Sequence, residues 1–106
     1  MSQFSENLKK LPGVSHLAAI NLLDTEGNVL VSIENKAGSQ GSLSVYNHLA
    51  QTYGAITPDA ARKGLELFAE HTEDARLHPG KHPNIDRLLS LLEEKKTLRT
   101  KHVFAE

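Results

Sequence analysis

Imidazoles and carboxylates crowd one stretch of the chain. Three of the six histidines, His71, His78 and His82, fall between Glu70 and Asp86, interleaved with Glu73 and Asp74. On a helix, steps of three and four residues return to nearly the same angle, so His71, Asp74 and His78 would lie along one flank. His82 follows Pro79-Gly80, a bend able to turn it back towards them. Two or three imidazoles with one carboxylate suit zinc, iron or manganese, and an ion held by so few protein groups keeps a position open for water. The chemistry on offer is that of a divalent-metal protein or a metal-dependent hydrolase using His71, Asp74, His78 and His82. Glu70, Glu73 or Asp86 could serve as base or orient a ligand.

The spacing matches no defined metalloenzyme pattern. In the helical zinc-protease motif the two histidines lie four apart with a glutamate after the first, whereas His71 is followed by Thr72. A structural reading accounts for each residue separately. His71 borders the apolar stripe of its helix as a hydrogen-bonded, half-buried imidazole. Asp74 and His78 form an i,i+4 pair with the acid on the favourable side, and a cation at His78 suits the negative end of the helix. His82 fills the junction before Pro83, and Asp86 lies in the first turn of the next helix. We rank this junction above the metal centre. His16, His48 and His102 are isolated, and Ser39, Ser42 and Ser44 lack the strand-turn-helix elbow of a nucleophilic serine.

The elements that must position these groups fit one domain, residues 1–106, since a chain of this length builds a single core. Hydrophobic residues make up 39% and charged residues 24%, too apolar for disorder. The formal net charge is -1, and only the tail from Lys95 to Lys101 carries a short basic run, so nucleic acid is not an expected partner. There is no cysteine, which removes disulfides, thiolate nucleophiles and cysteine-bearing zinc sites. The first residues lack the regions of a signal peptide, and the apolar run from Leu17 to Leu23 is too short to cross a bilayer. A cytoplasmic protein without a membrane partner is expected.

Phe4, Leu8 and Leu11 fall at helical spacing after Ser2, a candidate cap, and before Pro12-Gly13, giving a short helix that packs as a lid or edge. His16 to Leu23 is apolar on both alternate faces, as a central strand is. Asp24 to Asn28 reverses the chain into Val29–Glu34, so the two strands make a hairpin. Asn35 to Ser42 reads as a flexible segment leading to a helix over 43–53 capped by Ser42 and stopped at Gly54. A glycine-serine loop of this kind could hold a small anion, although no phosphate-loop lysine accompanies it.

Thr57-Pro58-Asp59 is a strong helix start, and the spacing predicts one helix to Leu77 with Ala61, Gly64, Leu65, Phe68, Thr72 and Ala75 inward. A further helix follows Pro83, with Ile85, Leu88, Leu89 and Leu92 inward. The tail from Thr97 to Phe104 suits an edge strand of the hairpin. The expected fold is α+β, a small antiparallel sheet packed with three to four helices.

Tyr46, Gly64 to Arg76 and His78 to Leu89, together with Asn7 to Pro12 and Leu22 to Asn28, resemble a family of small uncharacterised bacterial proteins over nearly the whole chain. The resemblance implies a stand-alone bacterial domain and brings no catalytic residues with it. The function expected is therefore a non-catalytic interaction or regulatory module without a cofactor. The doubly apolar first strand points to self-association as a homodimer, or to another protein, as its partner. The divalent-metal reading is the alternative.

Overall fold

The computed structural model describes residues 3–106. In chain order it contains α1 (Gln3–Leu8), β1 (Leu17–Leu23), β2 (Val29–Glu34), α2 (Gln40–Tyr53), α3 (Pro58–Phe68), α4 (Glu70–Leu77), α5 (Pro83–Glu94) and β3 (Arg99–Phe104). The sheet order is β2-β1-β3, with both pairs antiparallel. The fold is α+β, and the tail pairs with the hairpin as an edge strand. The candidate cap Ser2 lies outside the described residues.

Pairing on both sides makes β1 the central strand. One face of it, with Ile20 level with Ile33 and His102, turns towards the helices, and Leu17, Ile20 and Leu22 are fully buried. The alternate row, Ala19, Asn21 and Leu23, is flanked on the opposite face by Ser32, Glu34, Arg99 and Lys101, all four exposed. Asp24 shapes the reversal by accepting from the amides of Glu26 and Asn28, each at 2.9 Å.

The helices depart from expectation at three places. α2 begins at Gln40, so Ser42 lies inside the helix and Ser39 takes the cap position. The Ser39 hydroxyl donates to the Glu34 carbonyl at 2.6 Å instead of capping. The reason lies far away in sequence. A Cβ on Gly41 would stand 3.2 Å from the Phe4 ring, so the glycine admits α1 against the first turn of α2.

The second departure is at Ala69, whose φ of 52° ends α3 at Phe68 and lets α4 restart at Glu70, giving five helices where three to four were expected. Its inward stripe survives the break, since Ala61, Gly64, Leu65, Phe68, Thr72 and Ala75 are all buried. Thr72 stabilises the junction by donating its hydroxyl to the Leu65 carbonyl at 2.6 Å. That carbonyl is one of those a helix end leaves without a partner.

At its own start, α3 follows the sequence reading, because Thr57 Oγ1 accepts from the Ala60 amide at 3.0 Å. Gly64 sets how closely α3 approaches its neighbours: a Cβ there would meet Leu88 Cδ1 at 2.7 Å and Leu49 Cδ1 at 2.9 Å. On α5 the buried residues are Ile85, Leu88 and Leu91, with Leu89 and Leu92 only partly covered. The inward stripe is thus turned slightly from the expected one. Apart from Ala19, the buried apolar side chains form one contiguous cluster, against which Phe4, Leu8 and Leu11 pack while half-buried. Among the described residues, no helix is long and apolar enough to cross a membrane.

Candidate functional site

Asp74 is the hub of the imidazole cluster. Its Oδ2 lies 2.7 Å from His82 Nε2 and 3.0 Å from Lys81 Nζ, while its Oδ1 is 3.8 Å from His78 Nε2. A carboxylate only accepts, so His82 carries its proton on Nε2. The hydrogen bond from His82, followed by that from Lys81, holds the Asp74 carboxyl down at about 2, against an ordinary value of 3.8. The bend at Pro79-Gly80 does return His82 to α4. Asp86 clamps that bend by accepting from the Gly80 amide at 2.9 Å.

The four residues singled out as metal ligands are near one another but unequally placed. Asp74 and His82 are in direct contact. His78 lies at the outer edge, with 62% of its side chain exposed. His71 approaches the group through its ring, 5.6 Å from that of His82 and edge-on to Phe4 at 5.0 Å. Among the described residues, no group of three or more histidine or acidic side chains is arranged to hold a metal ion. The nearest cation to Asp74 Oδ2 is the Lys81 ammonium, a residue to which sequence reasoning gave no role.

The cluster forms one wall of a cleft of about 460 Å³. His71, Lys81 and His82 stand on that side, and Phe4, Leu8, Phe68 and Ile85 make the apolar part. The Phe4 and Phe68 rings stack at 5.3 Å. The segment 37–42, which runs into the first turn of α2, completes the lining, with Gly38 presenting backbone alone and Gly41 packed against the Phe4 ring. The imidazole stretch and the glycine-serine segment, read separately in the sequence, therefore face a common space. None of the described residues lining it is acidic.

A buried anchor fixes the remaining wall. The Tyr46 hydroxyl donates to the Asn84 carbonyl at 2.5 Å and accepts from Arg87 Nη1 at 3.1 Å, while the same Arg87 nitrogen donates to Asn84 Oδ1 at 2.8 Å. Burial pushes the Tyr46 phenol up to about 12, against the opposing influence of Arg87. α1 closes the cleft from above: the Phe4 amide donates to Glu70 Oε1 at 2.9 Å, and the Asn7 side-chain amide donates to the Leu67 carbonyl at 3.0 Å. Phe4 and Leu8 were read only as the packing face of a lid or edge helix, and Lys81 and Asn84 were given no role. The signal for Lys81 was its place two residues past a helix-breaking proline, beside His82.

Residues 4–102 match the family described as an uncharacterized protein conserved in bacteria (DUF2322). The chain belongs to that family, in agreement with the resemblance carried by its motifs. No curated protein and no solved structure matches it.

Proposed function

We propose that the protein is a cytoplasmic, non-catalytic regulatory module that works by binding a small molecule in the cleft between α1, the segment 37–42 that opens α2, and the α4–α5 junction. The observation that carries this reading is the cleft itself. Its volume of about 460 Å³ falls within the roughly 300–1,000 Å³ typical of ligand pockets, and it joins an apolar lining to a few convergent polar groups. The non-catalytic part of the reading is supported by what the cluster does. Asp74 divides its acceptor capacity between His82 and Lys81, so the dyad fastens the start of α5 to α4. The cluster holds the wall in place.

The test is thermal unfolding with millimolar indole, a flat neutral probe of the apolar lining. A ligand that binds only the folded state raises the melting temperature. The reading expects a rise in the parent protein and none in Gly41→Leu, whose side chain enters the space now occupied by the edge of Phe4. No rise in the parent, or an equal rise in both, rejects the cleft as the binding site.

A separate observation favours self-association. On edge strand β2, Val29 is 55% and Leu30 58% exposed, and Val29–Glu34 contains neither lysine, arginine nor proline, the residues that discourage edge pairing. β3 has Arg99 and Lys101 at its own edge. Antiparallel pairing of two β2 strands about Ser32 keeps Val31 and Ile33 of both copies on the helix side, so the module forms a weak homodimer through this edge. Sedimentation velocity at increasing concentration should show dimer in the parent and monomer in Leu30→Glu, which sets like charges against Glu34 of the second copy. Monomer throughout in the parent removes the assignment.

A further inference from the structure

We infer that the ligand of the cleft is an organic carboxylate with a flat apolar body. The inference rests on the cleft reading and adds the chemistry of its occupant. The side chains lining the cavity include one lysine and two histidines, Lys81, His71 and His82, with no acid among the described residues. Asp74 stands behind that wall and holds Lys81 and His82 by their nitrogens at 3.0 and 2.7 Å, and Glu70, next to His71, is engaged by the Phe4 amide at 2.9 Å. An anion entering the cleft therefore meets the Lys81 ammonium already oriented, while the Nε2 proton of His82 is taken by Asp74. The Lys81 ammonium has three donors; one is directed at Asp74, and others remain for a ligand oxygen.

The charge of that ligand follows from the same groups. One ammonium, already partnered on one side by the Asp74 carboxylate, suits a single negative charge better than the two of a phosphate monoester, which is recognised by clustered arginines or several fixed cations. The shape follows from the other walls. Phe4, Phe68 and Ile85 make the lining apolar away from Lys81, with the Phe4 ring stacked on Phe68 and packed against Gly41, a surface that suits a flat ring. A carboxylate at the Lys81 end with an aromatic or aliphatic ring towards Phe4 uses both halves.

The experiment is isothermal titration of the folded full chain with indole-3-propionate, with its primary amide and with inorganic phosphate. The amide keeps the shape and removes the charge. We expect the acid to bind at least tenfold more tightly than the amide, Lys81→Gln to bring the two within about twofold without weakening the amide, and phosphate to give no heat at millimolar concentration. Equal binding of acid and amide by the parent protein overturns the carboxylate inference while leaving the cleft reading intact. Phosphate binding more tightly than the acid overturns it in favour of an inorganic or ester phosphate. Binding of neither organic probe defeats the inference and the cleft reading together.

Discussion

Removing one oxygen from the core should change how the protein responds to alkali. Tyr46 is fully buried, and its phenol is raised from 10.0 to about 12, chiefly by burial. In the unfolded chain the phenol loses its proton near pH 10, whereas the folded protein keeps it until about 12. Between these values the unfolded state binds fewer protons, so stability falls as pH rises. A difference from 10.0 to about 12 corresponds to about 3 kcal/mol at full development. That is a large part of the roughly 5–15 kcal/mol that holds a domain folded.

Tyr46→Phe deletes this titration and also the hydrogen bond to the Asn84 carbonyl, for a loss of about 1–3 kcal/mol at neutral pH. Arg87 keeps Asn84 Oδ1 as a partner at 2.8 Å, which limits the damage. Urea unfolding of both proteins from pH 8 to 11.5 is the assay, and the exposed lysines and Tyr53 cancel in the comparison. The stability gap should be widest at pH 8 and shrink steadily above pH 10. A gap that stays constant to pH 11.5 would refute the claim that the folded core protects this hydroxyl.

Gly64→Ala sets the gain in helix propensity, about 1 kcal/mol, against overpacking between Leu88 and Leu49, about 1–3 kcal/mol. The contacts of 2.7 and 2.9 Å to side chains with no exposed surface decide for a net loss, visible as a lower urea midpoint. Because the Asp74 carboxyl is depressed to about 2, its hold on His82 and Lys81 is complete above the ordinary carboxylate pKa near 4 and is lost as pH falls from there to about 2. Acid titration followed by histidine NMR signals should therefore show His82 released in that window in the parent and already free at pH 6 in Asp74→Ala. Elemental analysis of untagged protein should find zinc, manganese and iron well below one per chain. A stoichiometric metal that disappears in His71→Ala and His78→Ala would instead establish the divalent-metal reading of His71, Asp74, His78 and His82.

The hairpin, the edge strand and the Thr57 start were legible because each rests on local chemistry: alternation, an Asp-led turn, a hydroxyl before a proline. The break at Ala69 was not. An alanine carries no helix-stopping signal, and the stripe from Ala61 to Ala75 keeps one period through the junction, since Thr72 re-forms the lost backbone bond at Leu65. Gly41 misled in the opposite direction. It reads as loop, yet it sits in a helix because Phe4 needs the room. The gathering of His71, Asp74, His78 and His82 could be read from their spacing and the bend after Pro79. The cavity could not, because its other walls come from Phe4 and from the segment 37–42 at the start of α2, brought there only by tertiary packing.

The most direct test of the account is the amide NMR map of the protein titrated with indole-3-propionate. Perturbations concentrated at Phe4, Gly38, Gly41, Lys81, His82 and Asn84, on both walls at once, are the predicted result. Shifts confined to β2 and β3, or no saturable shifts at all, would contradict the claim that this cleft is where the protein works.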